Sequence, residues 1–429
     1  MNNRTDLHSV APQQRLELLY GPERREQAAQ RLDALLRRFE QHYGRADEGV
    51  LLVSAPGRTE LAGNHTDHNH GQVIAAAVDL DVLALVRPRG DQMVRVRSAG
   101  YAEEFTVHLN DLAAQPGERG RFDALVRGVA AGLARGGHRF CGFDCCMHST
   151  VARGSGLSSS AAVEVFVAAA LCASAGAELP AAVELAQIAQ RSENDYFGKP
   201  CGLMDQLACA HGGAIAIDFA DIAAPRITPL SFAPRSAGFQ LLVVESGASH
   251  DDLTADYAAV PAEMRLVARA LDRETLGLVD PDSFIRALPE LRQRLHERAV
   301  LRALHFFDEN QRVRQQVAAL GREDFQAFLR LVNLSGSSSW RLLQNCSAPG
   351  HGDRQELALA LALSERLLPD GACRVHGGGF AGTMQAYVPL ERVDSYVNEI
   401  ERVLGAAAVT VLNVRQYGPV VVGSARELC

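Results

Sequence analysis

Apolar residues recur at spacings of three and four over residues 24–43 (RREQAAQRLDALLRRFEQHY). Ala28, Leu32, Leu35, Leu36 and Phe39 share one face, and charges take the other. That period predicts an amphipathic helix packed on the main body, preceded by mobile residues. The rhythm then changes. Residues 50–54 are a short apolar run closed by Ala55-Pro56-Gly57, the pattern of a strand entering a turn. Residues 73–87 are rich in Val, Ala and Leu and predict one or two buried strands. Residues 93–98 (MVRVRS) alternate, which predicts a half-exposed strand. Helical spacing returns over 123–135. Residues 142–151 alternate Phe143, Cys145 and Met147 on one face, again a strand.

A Gly/Ser-rich turn follows, then a long apolar helix over 159–175 and another helix over 182–190. Strands are predicted at 213–219, within 226–246 (notably 239–244), within 373–388, and finally at 409–415. Residues 261–343 are mostly helical and charged, and 354–367 form a further helix. Strands and helices mix without regular βαβ alternation, so the fold class is α+β in two lobes. The expected organisation is a helical extension over 1–44, an N-terminal lobe over 45–220 and a C-terminal lobe over 221–429.

Composition narrows the function. The chain has 429 residues, 47% of them hydrophobic and 22% charged, which excludes wholesale disorder. Lys and Arg number 43 against 51 Asp and Glu, a net charge of −8. A nucleic-acid binder would show a basic surplus, so no nucleic-acid partner is expected. The most apolar stretch, 161–175, carries Glu164 and Ser174 and is too short to span a bilayer. The polar N-terminal segment lacks the apolar core of an export signal. The nine cysteines show no CxxC spacing and read as reduced thiols. We expect a cytoplasmic monomer that touches no membrane.

Four segments carry chemistry. Gly154-Ser155-Gly156-Leu157-Ser158-Ser159-Ser160 follows a strand and opens a helix. Glycines let backbone approach an anion, and the free N–H groups of a helix start favour phosphate. The hydroxyls can bind phosphate oxygens or Mg²⁺, or act merely as N-caps. The lysine of a Walker loop is absent. The second segment is Arg58-Thr59-Glu60-Leu61-Ala62-Gly63-Asn64-His65-Thr66-Asp67-His68-Asn69-His70-Gly71, whose mixed donors and acceptors suit a polyol. A metal site on His65, His68, His70 and Asp67 is the rival reading. The third is Glu193 to Gln206, where Glu193 and Asp205 flank a Gly/Pro loop. One carboxylate could hold a metal and the other accept a proton. The fourth is His376-Gly377-Gly378-Gly379-Phe380-Ala381-Gly382, where glycines permit a close backbone approach.

In this order and spacing the segments resemble the galactokinases, within the small-molecule kinase superfamily that also holds homoserine, mevalonate and phosphomevalonate kinases. The resemblance runs from about residue 45 to 420, and implies that family's two-lobed α+β fold, with mixed sheets, helices and the active site between the lobes. The family's GRxNxxGEHTDYNxG stands here as GRTELAGNHTDHNHG. GLSSSAA is intact at 156–162, CGxMDQ stands at 201–206, and GGGFGG stands as GGGFAG. The resemblance implies transfer of the γ-phosphoryl of MgATP to the anomeric hydroxyl of galactose. It implies that Asp205 takes the O1 proton or stabilises its loss, and that Arg58 keeps Asp205 ionised and balances charge near the γ-phosphate. Asn64, His65, Asp67, Gly202 and Tyr257 would hold the sugar, with Gly378 and Gly379 nearby. Gly154 to Ser160 would wrap the ATP phosphates, and Ser160 with Glu193 would hold Mg²⁺.

There are departures from the pattern. Asn64 replaces a Glu, His68 a Tyr and Ala381 a Gly. Arg153 stands where an apolar residue is usual, and Ser335-Gly336 where Ser-His is usual. Loss of a carboxylate at a sugar-facing position can shift specificity. A kinase for N-acetylgalactosamine or L-arabinose is therefore one alternative. A non-catalytic galactose and ATP sensor is another, although such proteins lose part of the Ser-Ala run that is kept here.

Overall fold

The computed structural model describes residues 7–152, 156–247, 253–347, 350, 352–353, 355–380 and 382–428. Arg153, Gly154, Ser155 and Ala381 lie outside them. The chain opens with α1 (Pro12–Tyr20) and α2 (Arg25–Tyr43), followed by β1 (Leu51–Ala62), β2 (Gln72–Pro88), β3 (Met93–Ser98) and β4 (Glu104–His108). Next come α3 (Phe122–Arg135), β5 (Phe143–Ser149), α4 (Ser159–Ser174), α5 (Ala182–Arg191), α6 (Met204–His211), β6 (Ala214–Asp218), β7 (Arg226–Leu230) and β8 (Phe239–Glu245). A helical stretch follows: α7 (Thr254–Ala270), α8 (Pro281–Arg294), α9 (Glu297–Gly321), α10 (Phe325–Ser338) and α11 (Glu356–Leu367). The chain closes with β9 (Ala372–Val375), β10 (Thr383–Pro389), α12 (Val393–Leu404), β11 (Val409–Leu412), β12 (Val420–Ser424) and α13 (Ala425–Leu428).

Two sheets organise these elements. The larger runs β12-β1-β2-β5-β3-β4, with β6 on β2 and β7 on β6; the smaller runs β11-β8-β10-β9. β2 is one strand of 17 residues whose first half pairs with β6 and whose second half pairs with β5. α4 is apolar on nearly all sides and is correspondingly buried among β1, β2, α3, α5 and α6. Its one acidic residue, Glu164, is fully buried. No helix among the described residues is long and apolar enough to cross a membrane.

Several elements differ from expectation. The strand that begins near residue 50 does not end at Ala55-Pro56-Gly57 but continues to Ala62. Pro56 is accommodated because the ladder is irregular there. Pro56 sits opposite Asp81 and Arg58 opposite Ala77, so β2 carries residues 78–80 across from Gly57 alone. Val78 bridges instead to Val414. The residues before 24 include an ordered helix, since Leu16, Leu19 and Tyr20 are buried and the Tyr20 hydroxyl donates to Asp81 Oδ2 at 2.6 Å. The strand at 409–415 is not the final one. β12 follows it and pairs with β1. A division at residue 220 does not coincide with the sheets, because β7 and β12 both belong to the larger one.

Candidate active site

The irregularity in β1 aims Arg58 at the start of α6. Its Nε and Nη2 donate to Asp205 Oδ1 and Oδ2 at 2.7 and 2.6 Å, a paired geometry that only a guanidinium supplies. Its Nη1 donates to the carbonyl of Gly156, and its backbone N–H to the carbonyl of Leu157 at 3.2 Å. Arg58 is buried, whereas 28% of the Asp205 side chain is open. The carboxylate therefore faces the cleft with its counter-ion behind it. Burial alone would raise the Asp205 pKa. Arg58 and the Ser158 hydroxyl more than offset that and hold the carboxyl below the usual carboxylate range.

Ser158 takes a left-handed backbone conformation, and its hydroxyl donates to Asp205 Oδ2 at 2.6 Å. That hydroxyl thereby links the Gly/Ser turn to the carboxylate. Ser159 and Ser160 begin α4, so the free N–H groups of a 16-residue helix open beside the Arg58–Asp205 pair.

One turn into α4 the acids gather. Ser160 Oγ donates to Glu193 Oε1 at 2.9 Å, and Lys199 Nζ lies 3.4 Å from the same oxygen. Glu193 stands in a π-helical turn (Ser192–Phe197) that continues α5. Gln206 Nε2 donates to both Glu193 Oε2 (2.8 Å) and Glu164 Oε2 (3.2 Å). Among the described residues, Glu164 Oε1 and Gln206 Oε1 are buried with no hydrogen-bond partner. Burial and the nearby Glu193 push the Glu164 carboxyl well up. A buried cluster this rich in acceptors and poor in donors suits a cation. Among the described residues no group of three or more His, Cys, Asp or Glu could hold a metal ion. Two protein oxygens are nevertheless what Mg²⁺ needs when substrate phosphates and water complete its shell.

The polyol segment and the glycine loop face each other. Asn64 is fully buried; its Nδ2 donates to the Gly377 carbonyl (2.6 Å) and to Glu60 Oε1 (3.3 Å), and its Oδ1 accepts from Asn345 Nδ2 (2.9 Å). His65 Nε2 lies 2.9 Å from the Gly378 carbonyl, and desolvation keeps the ring neutral. The Tyr257 hydroxyl donates to the Gly379 carbonyl at 2.8 Å, with its ring against Gly378. Asp67 backs onto Gly202, where an added Cβ would lie 2.2 Å from Asp67 Oδ2. The described sequence-predicted residues are thus brought together by contacts among β1, the start of α4, the Glu193–Gln206 segment and the glycine loop. Three participants were missed. Gln206 and Glu164 stand next to Asp205 and one turn after Ser160, so the CGxMDQ and GLSSSAA segments could have pointed to them. Asn345 lies in no recognisable motif, and only the fold brings it there.

Two family models match the chain. A model of the galactokinase galactose-binding signature matches residues 37–88, and one of the GHMP kinase N-terminal domain matches residues 124–213. A galactokinase of Streptomyces coelicolor is 33% identical over 386 residues, covering 89% of this chain and 95% of the relative. The chain belongs to the galactokinase family. A second galactokinase, from Glaesserella parasuis, is 33% identical over 361 residues, covering 83% of this chain and 89% of its own. The solved structure of Lactococcus lactis galactokinase complexed with galactose superposes with a TM-score of 0.79 at 24% identity. That match covers 91% of this chain and 99% of the other. A mevalonate kinase shares the fold at a TM-score of 0.61 and 15% identity, covering 85% of this chain and 99% of the other. The two-lobed α+β galactokinase-type architecture is thus established.

Proposed function

We propose that this galactokinase-family enzyme transfers the γ-phosphoryl group of ATP to the anomeric oxygen of galactose, giving galactose 1-phosphate. The observation that carries the reading is the Arg58–Asp205 pair, an ionised carboxylate open to the cleft beside the N-terminus of α4. The relatives named galactokinase and the galactose-complexed structure support the choice of sugar.

Asp205 accepts the proton of the sugar O1 as the phosphoryl group arrives. Its low pKa keeps it in the accepting form, and Arg58 stabilises the charge. Gly156 to Ser160 place backbone N–H groups against the ATP phosphates; we assign Gly154 and Ser155 to the same loop from the sequence motif. Ser160 and Glu193 would hold Mg²⁺, which supplies charge neutralisation on the phosphates. His65, Asp67, Gly202 and Tyr257 line the sugar side, and Asn64 shapes it by fixing the glycine loop. Most of the rate gain comes from positioning and preorganised charge.

The test is ADP release by the purified protein with MgATP. Galactose is compared with N-acetylgalactosamine, 2-deoxygalactose, glucose, L-arabinose and mevalonate. Galactose is expected to give the highest kcat/KM. A preference for another sugar would make Asn64 and His68 the specificity switch, and no turnover with any of them would favour the sensor.

A further inference from the structure

His376 precedes the glycine loop, at the end of β9, and has no part in the mechanism above. It is 2% exposed. Its imidazole is wedged between three segments. On one side Nε2 accepts the backbone N–H of Glu60 at 3.3 Å and lies 3.0 Å from Thr59 Oγ1. Thr59 Oγ1 itself accepts from Gln385 Nε2 at 2.9 Å, which leaves its hydrogen for Nε2. With Nε2 accepting, the proton sits on Nδ1, which donates to Thr383 Oγ1 at 3.1 Å. The third side is Gly156. A Cβ there would lie 2.6 Å from Thr383 Oγ1 and 2.8 Å from His376 Nδ1, so the phosphate-loop backbone rests directly on this pair. Gly156 also has a φ of +71°, which a residue with a side chain rarely adopts.

The wedge touches both supports of Arg58. Thr59 and Glu60 are the residues next to it in β1, and Gly156 supplies the carbonyl that accepts from its Nη1. We infer that His376 is a positioning residue for phosphoryl transfer: through Thr59, Glu60 and Gly156 it sets the spacing between β1 and the phosphate loop, and so aims Arg58 at Asp205. This inference rests on the role proposed for the Arg58–Asp205 pair. It adds a link from the second sheet to that pair, because β9 and β10 belong to the smaller sheet and Arg58 to the larger. A misplacement of about 1 Å at such a site costs about 10²-fold in rate.

The experiment is a kinetic cycle of His376→Ala, Arg58→Lys and the double variant, with galactose and MgATP. Wild-type turnover is measured first and tests the proposed function by itself; an inactive wild type sinks that function and this inference with it. With an active wild type, His376→Ala is expected to lower kcat at least tenfold while both KM values move less than threefold. The double variant is expected to be no more than threefold slower than Arg58→Lys alone, because both changes act on one group. Retention of kcat within twofold by His376→Ala overturns the inference. So do losses that multiply in full, since His376 would then act elsewhere. If His376→Ala does not fold, Thr383→Val replaces it in the same cycle under the same criteria. That change removes the acceptor of Nδ1–H and keeps the shape.

Discussion

Arg58 holds both carboxylate oxygens of Asp205, at 2.7 and 2.6 Å, and spends its remaining nitrogen on the Gly156 carbonyl. One side chain thereby ties together Asp205, β1 and the turn at Gly156, which we propose as the base, the sugar side and the phosphate loop. Arg58→Lys keeps the charge but loses the fork. We expect kcat to fall by about 10²-fold with little change in MgATP affinity. Steady-state kinetics with a fluorescent-nucleotide binding assay checks both.

The same pair fixes a pH dependence. Burial raises the Asp205 pKa, and Arg58 with Ser158 brings it below the carboxylate range. Asp205 is therefore ionised throughout neutral and mildly acid pH, and loses activity only as pH falls through that lowered value. Arg58→Gln removes the largest lowering influence and leaves burial to act. The acid limb of kcat/KM should move to higher pH. A limb that stays put would show that Arg58 does not set the ionisation of Asp205.

Gly202 and Asp67 give a steric test. The Cβ of Gly202→Ala would lie 2.2 Å from Asp67 Oδ2, so the carboxylate must move. The sugar KM should rise at least tenfold (about 1.4 kcal/mol), with the MgATP KM within threefold. Equal changes in both constants would place Asp67 outside the sugar pocket.

Much of this site was legible in the sequence because its parts are local. A helix start, a Gly-rich turn and a carboxylate after a Gly/Pro loop each announce themselves within ten residues. What was not legible depends on distant pairing. β1 was cut short at Pro56 because a proline normally ends a ladder. Only the extra residues of β2 opposite Gly57, and the bridge from Val78 to Val414, explain why it continues. β12 was missed for a similar reason: its partner, β1, lies more than 350 residues away. The hydrogen bond from Ser158 to Asp205 was not legible either, because it joins residues 47 positions apart.

The N-terminal helices show the same limit. Asp81 is fully buried and accepts from Tyr20 (2.6 Å), Arg31 (2.6 Å), Ser54 and Arg415 (3.4 Å). It joins α1 and α2 to β1 and to the segment between β11 and β12. Asp81→Ala strands two buried cations and should cost about 3–5 kcal/mol, whereas Tyr20→Phe should cost about 1 kcal/mol. Denaturant titration measures both. Burial raises the Asp81 pKa, but Arg31 and Arg415 bring it below the usual value. Its contribution to stability is thus complete above the unfolded-state pKa of about 4 and declines as pH falls through the folded-state value.

The central claim is that Asp205 directs phosphoryl transfer to the anomeric oxygen. The most direct measurement is ³¹P–¹H correlation NMR of the product formed from galactose and MgATP, by the wild type and by Asp205→Asn at equal nucleotide occupancy. Phosphorus coupled to the anomeric proton is expected for the wild type, with a loss of at least about 10³-fold in its formation by the variant, which still binds ATP. Phosphorus on any other hydroxyl, or a variant within tenfold of the wild type, would contradict the claim.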